Sequence, residues 1–349
     1  MCKQIPAYLY TDLIIMKKTS LFLLCTIALF CSAFNASAQK YVLEKTISLP
    51  GDGGNDYVFI DQAAKRLYAS HGTAVNVVDL ATEKVIGTVS GMKGVHGIAV
   101  VSDLNKGFIT DGKANAVVAF DTKTLQVIKT ITITGKGPDG IIYDPFSKKI
   151  FAFEGDSNAA VVIDPQSLTQ AGTIDLGGAP EFAVSDGKGM IYNNLEDKSK
   201  LAVIDTKTLK MVKSFPLNPC GGPTGIAIDR SGQRLFTVCR ENKGMSVIDI
   251  TSGKVVQTLP IGSGVDAVVY DAVNKLIIAS NGDGTANVFK QNGPDAYSAI
   301  QTITTQYHAK TMALDAATHK IYFPVSDYKE GTKTQLPNSF KLLVYQLKN

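Results

Sequence analysis

The segment from Gly107 to Ile131 reads GFITDGKANAVVAFDTKTLQVIKTI and decides the fold class. Two apolar runs end in Asp111 and Asp121, and a third alternating run follows the turn sequence Thr-Lys-Thr. Alternation with a period of two and many β-branched side chains predict strands, while the intervening Gly, Asp and Asn residues predict tight turns. The segment therefore predicts three consecutive strands joined by short loops.

An additional apolar strand ending in Asp precedes such segments throughout the chain. Five of these first strands align without gaps: Tyr57–Asp61, Gly140–Asp144, Gly225–Asp229, Ala267–Asp271 and Thr311–Asp315. Two more, Gly97–Val101 and Phe182–Asp186, fit with a one-residue irregularity. An Asp side chain can accept a hydrogen bond from the backbone two residues further on, so we expect the recurring Asp residues to fix turns.

The four-strand unit recurs seven times from Asp56 onwards, with a period of about 42 residues, which is typical of β-propeller blades. The last copy, His308–Leu347, contains an insertion at Asp327–Asn338 and has no fourth strand. The sequence Tyr41–Leu49 (YVLEKTISL) is similar to Leu125–Ile133 (LQVIKTITI) and can supply it. We therefore predict an all-β, seven-bladed β-propeller over residues 39–349. It has four antiparallel strands per blade, and its N-terminal strand completes the last blade and closes the ring.

Residues 16–38 have the pattern of a cleavable signal peptide. A short basic region at Met16–Lys18 precedes an apolar region at Leu21–Phe34 and a small-residue cleavage site at Ala36–Ala38. Residues 1–15 have no signal character and are interpreted as an upstream extension. We therefore expect a periplasmic or secreted protein. No other apolar run is long enough to span a bilayer.

The charge balance disfavours nucleic acid as a partner. The chain has 35 basic and 31 acidic residues, and signal-peptide cleavage would remove three lysines and one aspartate, leaving 32 and 30. Nucleic-acid binding usually requires a clustered basic face, whereas the basic residues of this chain are spread through the turns. We expect a small molecule or a protein as the partner, no nucleic acid, and a monomeric chain.

The repeats resemble the YncE-like, YVTN-repeat propellers of bacterial exported proteins over essentially all of residues 40–349. The resemblance is carried by units such as Gly107–Asp121 with the following Thr122–Ile131. The tetrapeptide that names the repeat is absent, and its place is taken by sequences such as Leu67–Ser70 and Leu235–Val238. The resemblance implies the fold and export, and it implies no single reaction.

In a propeller the first strands line a central channel, and the loops after strands two and four open on one face. Aligned positions at the channel mouth hold Asp56, His96, Asp139, Glu181, Thr224, Asp266 and Lys310. Positions at the ends of the second strands hold His71, Asp111, Glu154, Asn194, Arg240 and Asn281. Both rings depart from the repeat consensus, so we expect them to form a concave, mainly acidic ligand-binding surface.

Three histidines fall on this face in consecutive blades. His71, His96 and His308, together with Asp56, would suit Zn²⁺ or another divalent ion if they converge. His96 or His71 would instead serve as a general base oriented by Asp56. Two further interpretations stay open: hydrogen-bonding residues too far apart to share a ligand, and metal-free ligand binding. His319 lies on the opposite face, where we expect it to be solvated.

Cys220 and Cys239 are the two cysteines that follow the signal peptide. Cys220 precedes the fifth blade, and Cys239 ends its second strand. Both positions are on the channel-mouth face, so an oxidising compartment would allow a disulfide between them.

These observations favour an exported binding module that recognises a small molecule, an ion or a protein partner at the channel mouth. A metal-assisted hydrolase or lactonase using the same face is the alternative. The sequence leans towards the binding module and leaves the enzyme question open. A divalent metal is the only cofactor that the sequence suggests.

Overall fold

The computed structural model describes residues 39–332 and 334–348. In this part of the chain, strands form seven four-stranded antiparallel sheets, and each sheet contains strands that are consecutive in sequence apart from one closing strand. The predicted all-β, seven-bladed propeller is thereby confirmed. The predicted upstream extension and signal peptide lie outside the described residues. Over the described ranges, no helix is both long and apolar enough to cross a membrane.

The strands follow one another through the blades in chain order. The first, β1 (Lys40–Ser48), belongs to blade 7. Blade 1 contains β2 (Asn55–Asp61), β3 (Arg66–His71), β4 (Ala74–Asp79) and β5 (Lys84–Val89). Blade 2 contains β6 (Val95–Val101), β7 (Lys106–Asp111), β8 (Ala116–Asp121) and β9 (Val127–Thr132). Blade 3 contains β10 (Pro138–Asp144), β11 (Lys149–Glu154), β12 (Ala159–Asp164) and β13 (Thr169–Asp175).

The remaining blades have the same order. Blade 4 contains β14 (Pro180–Ser185), β15 (Met190–Leu195), β16 (Lys200–Asp205) and β17 (Lys210–Pro216). Blade 5 contains β18 (Pro223–Asp229), β19 (Arg234–Cys239), β20 (Gly244–Asp249) and β21 (Val255–Pro260). Blade 6 contains β22 (Val265–Asp271), β23 (Leu276–Asn281), β24 (Thr285–Gly293) and β25 (Ala296–Thr304). Blade 7 contains β26 (Ala313–Asp315), β27 (Lys320–Val325), β28 (Lys341–Lys348) and β1. Short 3₁₀ turns occur at Ser102–Leu104, Gly112–Ala114, Gly155–Ser157 and Glu196–Lys198.

The ring is closed by β1, as the sequence predicted. This strand pairs antiparallel with β28, from Lys40 opposite Lys348 to Ser48 opposite Lys341. The side-chain amide of Gln301 in blade 6 accepts a hydrogen bond from the Tyr41 amide and donates one to the Tyr41 carbonyl, both at 2.8 Å. The closing strand is therefore held by its own blade and by the preceding one.

The recurring Asp residues fix turns and also join neighbouring blades. Asp61 accepts hydrogen bonds from the amides of Ala63 and Ala64, at 3.0 and 3.2 Å, and Ser102 of the next blade donates to the same carboxylate. Asp271 plays the corresponding part towards blade 7, because His319 Nδ1 lies 2.8 Å from its buried carboxylate. The expectation that His319 is merely solvated is therefore wrong.

The hydrophobic core is divided among the blade interfaces. The buried side chains of the described chain form seven clusters, and each cluster draws its members from two adjacent blades. One such cluster joins Tyr68 and Val77 of blade 1 to Ile109 and Phe120 of blade 2. A blade cannot bury its apolar faces alone, so the burial of every core cluster depends on the ring.

Near the axis the inner strands approach so closely that only glycine fits at some positions. A Cβ atom at Gly225 would lie 2.7 Å from the Asp266 carbonyl oxygen and from Ala267 Cα of the next blade. A Cβ atom at Gly97 would lie 2.8 Å from the Asp139 carbonyl oxygen. These glycines thus set the distance between neighbouring blades.

We predict that Gly225→Ala destabilises the protein, because the added methyl group meets backbone atoms rather than a movable side chain. Overpacking of this kind typically lowers the free energy of unfolding by about 1–3 kcal/mol. Gly155→Ala is the matched control, since a Cβ atom there meets nothing within 4 Å. Urea unfolding monitored by circular dichroism measures both variants. Equal stabilities for the two would contradict the close-packing account.

Candidate functional site

The aligned residues at the channel mouth occupy an irregularity shared by six inner strands. In blades 1 to 6 the pairing between the first and second strands shifts register at this point, for example between Asn55 and Val58 in blade 1. Bulges of this kind re-aim side chains and are common next to functional sites. The side chains that the bulges carry are Asp56, His96, Asp139, Glu181, Thr224 and Asp266, and Lys310 is their counterpart in blade 7.

Three of these residues, from consecutive blades, form a compact polar cluster. His96 Nδ1 lies 2.7 Å from Asp56 Oδ2 and 3.4 Å from Asp139 Oδ1. The hydrogen bond to Asp56 raises the pKa of His96 above its usual value, against the opposing effect of burial, and the charge of Asp139 adds to the increase. The site therefore favours the protonated imidazole. In the described part of the chain, these are the only three His, Cys, Asp or Glu residues whose ligand atoms all lie within 4.8 Å of one another.

A second cluster lies on the other side of the mouth. The buried carboxylate of Asp266 bonds both Arg240 and Lys310. Arg240 also pairs with Glu196 of blade 4 at 2.8 Å. Both cations are thus compensated by neighbouring carboxylates.

Glu181 lies between the two clusters. Burial raises the pKa of its carboxyl group well above the usual range, and repulsion from Asp139, Glu196 and Asp266 adds to the increase. Burial raises the pKa of Asp139 as well, with a further contribution from Asp56. The mouth therefore contains more carboxyl groups than cations, and this excess favours the protonated forms of Glu181 and Asp139.

Two aromatic rings form a floor beneath the polar layer. Tyr57 of blade 1 stacks on Phe182 of blade 4 with ring centroids 4.5 Å apart. Each follows directly after a channel-mouth residue, at the position that is glycine in blades 2, 3 and 5. Burial and the nearby carboxylates raise the pKa of Tyr57, and its buried hydroxyl has no hydrogen-bond partner among the described residues. This pair was not predicted from the sequence, although two aromatic residues at a glycine position were a visible signal.

The second predicted ring does not reach the mouth. His71, Asp111, Glu154, Asn194 and Asn281 are all buried. Asp111 accepts hydrogen bonds from the amides of Lys93 and Gly94, and Asn194 donates to the Thr224 carbonyl oxygen at 2.8 Å. Asp111 and Asn194 thus hold a loop and a neighbouring strand, whereas both carboxylate oxygens of Glu154 are buried without a hydrogen-bond partner among the described residues. None of the five side chains is exposed at the mouth, where the prediction expected a ligand. Arg240 is the exception, because it projects into the mouth.

The structure does not bring the predicted histidines together. The ring of His71 packs against Phe340, with centroids 4.9 Å apart, and its Nδ1 atom lies 3.3 Å from the Asp52 carbonyl oxygen. The ring of His308 packs against Tyr307 and Tyr328. Of the four predicted metal ligands, only Asp56 and His96 are close together. The third residue of their cluster is Asp139, and neither His71 nor His308 belongs to it.

Two cavities on this face have Tyr307 in their lining, and one of them contains the Asp266 cluster. One, of about 650 Å³, is lined by Arg240, Asp266 and Lys310 along with neighbouring loop residues. The other, of about 770 Å³, lies against the insertion of blade 7, including Tyr328. Tyr307 is 53% exposed and lines both cavities.

Cys220 and Cys239 form a disulfide with a Cα–Cα distance of 5.3 Å. Arg240 follows Cys239 directly, and its amide donates to the Gly222 carbonyl oxygen at 2.9 Å. The disulfide and this hydrogen bond thus hold the segment that carries Arg240, whose side chain pairs with Asp266, against the segment that precedes β18.

A family model described as a YncE-like β-propeller matches residues 177–274, which span blades 4 and 5 and reach into blade 6. The predicted resemblance to YncE-like propellers is confirmed. No curated protein matches the sequence. Among solved structures, one titled "Crystal Structure of Mitotic Checkpoint Complex" aligns with a TM-score of 0.74 and 11% identity, covering 89% of this chain and 93% of that one.

Two other solved structures align to a similar extent, with TM-scores of 0.72 and 8% identity. "Structure of U3-55K" covers 89% of this chain and 99% of its own, and "Crystal structure of RRP9 WD40 repeats" covers 90% and 98%. At these identities the likeness shows the fold alone.

We predict that Glu181→Gln raises the thermal midpoint increasingly as pH rises. The pKa of Glu181 is raised in the folded state, so its contribution to stability is present below the unfolded value and is lost as pH rises through the folded value. Glutamine cannot ionise, so the variant does not lose this stability as pH rises. Each unit of pKa difference corresponds to about 1.4 kcal/mol, which makes the effect measurable.

Thermal scans at pH 4, 6 and 8 in buffer containing EDTA measure the trend, with Glu330→Gln on the exposed insertion as control. The midpoint difference between Glu181→Gln and the wild type should be near zero at pH 4 and largest at pH 8. A difference that shrinks with pH would contradict the assignment.

Proposed function

We propose that this protein is an exported binding module whose channel-mouth face recognises a small, neutral, hydroxyl-rich molecule of the saccharide class. The observation that carries the proposal is Tyr307, an exposed aromatic residue that lines two cavities. Volumes of about 650 and 770 Å³ fall within the range of about 300–1,000 Å³ that is usual for small-molecule sites. A tyrosine ring offers an apolar face for the C–H side of a sugar and a hydroxyl for its polar edge.

The charges around the cavities favour a neutral ligand. Three basic side chains and four acidic ones line the two spaces: Arg240, Lys310, Lys329, Asp266, Asp283, Asp327 and Glu330. Asp266 is bonded to both of its neighbouring cations, and Asp327 pairs with Lys341. Asp283 accepts a hydrogen bond from Thr285 at 2.6 Å. A strongly charged ligand would have to displace these pairs, whereas hydroxyl groups can donate to carboxylates and accept from cations without doing so.

Export is part of the proposal and rests on the signal pattern at residues 16–38. The Cys220–Cys239 disulfide is consistent with an oxidising compartment. N-terminal sequencing of protein from the periplasmic or culture fraction should give Gln39 as the first residue. Retention of the whole leader in the cytoplasm would contradict export.

A metal-assisted hydrolase or lactonase using the same face is the alternative. It requires turnover, so incubation of the ligand with the protein in the presence of Zn²⁺, followed by product analysis, separates the two functions. A binding module returns the ligand unchanged.

We predict that Tyr307→Ala weakens saccharide binding about tenfold, because aromatic packing of this kind contributes about 0.5–1.5 kcal/mol beyond the buried area and about 1.4 kcal/mol is a factor of ten. Tyr307→Phe keeps the ring and should retain most of the affinity. Phe146→Ala, at an exposed aromatic residue in a turn of blade 3, is the matched control.

The measurement starts with thermal unfolding in the presence of neutral mono- and disaccharides, with glucuronate as a charged comparator. Calorimetric titration of the ligands that raise the midpoint then gives affinities. Stabilisation by glucuronate alone, or an affinity that Tyr307→Ala leaves unchanged, would refute the saccharide proposal.

A further inference from the structure

Three side chains from three consecutive blades meet at the channel mouth, apart from the cavities beside Tyr307. They are Asp56 on β2, His96 on β6 and Asp139 on β10. All three have intermediate exposure, and the Tyr57–Phe182 stack lies beneath them. The three side chains are therefore partly open to solvent.

We propose that Asp56, His96 and Asp139 form a binding site for a divalent transition-metal ion, of which Zn²⁺ and Mn²⁺ are the best candidates. The ligands are His96 Nδ1, Asp56 Oδ2 and Asp139 Oδ1. The site is independent of the saccharide proposal, because it uses other residues and needs no organic ligand.

The distances fit a small ion. Zn²⁺ bonds nitrogen and carboxylate oxygen at about 2.0–2.2 Å in tetrahedral geometry, which places neighbouring ligand atoms about 3.4 Å apart. His96 Nδ1 and Asp139 Oδ1 are already 3.4 Å apart. Asp56 Oδ2, at 2.7 Å from Nδ1, needs to move by less than about 1 Å once the ion replaces the shared proton.

The chemistry of the donor set selects the class of metal. One imidazole with two carboxylates suits Zn²⁺, Mn²⁺ and similar ions, whereas Ca²⁺ and Mg²⁺ prefer sites made of oxygen atoms alone. Three protein ligands leave a further coordination position, and the ligand side chains are partly exposed to solvent. Water or a ligand group would occupy that position.

Two buried polar atoms, one in the cluster and one near it, have no hydrogen-bond partner among the described residues. Asp139 Oδ1 and the Tyr57 hydroxyl are both shielded from solvent and have no hydrogen-bond partner within the described ranges. Buried polar groups usually have partners, and exceptions indicate an ion or a water. A cation held by Asp139 would satisfy the first atom directly and would bring coordinated water near the second.

The carboxylates around the cluster also favour the binding of a cation. Arg240 and Lys310 are both bound to Asp266, so His96 is the nearest cation for Asp56 and Asp139. Glu181, at the aligned position of blade 4, adds a further carboxyl group. A divalent ion in place of one imidazole proton supplies the missing positive charge.

The test is metal binding by tag-free mature protein that has been dialysed against EDTA and then against metal-free buffer at pH 7. Calorimetric titration with ZnCl₂ and with MnCl₂ should show one ion per chain, and elemental analysis after gel filtration should give the same ratio for Zn²⁺. Asp139→Asn and His96→Gln should each weaken binding at least tenfold. His308→Gln, on the same face and away from the cluster, should bind like the wild type.

Thermal midpoints recorded without metal show whether each variant folds, and Asp56→Asn is the substitute for any variant that does not. Co²⁺ gives an independent readout, since its visible absorption bands report nitrogen and oxygen coordination in the wild type and should be lost in His96→Gln. Absence of binding by Zn²⁺ and Mn²⁺ to the wild type would overturn the proposal. Binding that survives unchanged in Asp139→Asn and His96→Gln would overturn it as well.

Discussion

The close approach of neighbouring inner strands around the axis is the constraint on which the rest of this structure depends. At Gly225 the next blade comes so near that a single methyl group would meet its backbone. Every buried apolar cluster of the described chain is shared by two adjacent blades, so stability belongs to interfaces rather than to blades. The ring must therefore close, and β1 completes blade 7 by pairing with β28.

The same closeness gives the channel mouth its chemistry. Side chains at one aligned position in adjacent blades come within hydrogen-bonding distance, as in the pair of His96 with Asp56 at 2.7 Å. One position further along the strand, small residues in most blades leave room for the rings of Tyr57 and Phe182 to meet across the axis. The polar residues of the mouth and the two aromatic residues thus occupy consecutive positions of the same inner strands.

The fold could be predicted from the sequence because its signals are local and repeated. The repeated pattern of alternating strands and Asp-containing turns predicts the number of blades. The similarity of Tyr41–Leu49 to a fourth strand predicts the closure of the ring. The cysteine pair was visible because one residue precedes blade 5 and the other ends its second strand, on the same face. The first ring of candidates followed from the alignment alone, since every blade presents the same position of its inner strand to the axis.

The rest of the site depended on where individual side chains point. Asp111 and Asn194 turn inward to backbone partners, and the sequence cannot show which loop covers them. The rings of His71 and His308 pack on aromatic neighbours that are distant in sequence or lie in the insertion, which kept them away from His96. Tyr57 and Phe182 meet because the axial space is narrow, and that width follows from all seven blades together.

A crystal structure of the mature protein at neutral pH tests the central claim most directly, because the claim concerns the arrangement of side chains around the axis. The account predicts Tyr57 and Phe182 stacked across the channel, with the His96 ring above them in contact with both Asp56 and Asp139. Separated aromatic rings with a continuous water-filled channel, or a His96 ring turned away from the two carboxylates, would contradict it.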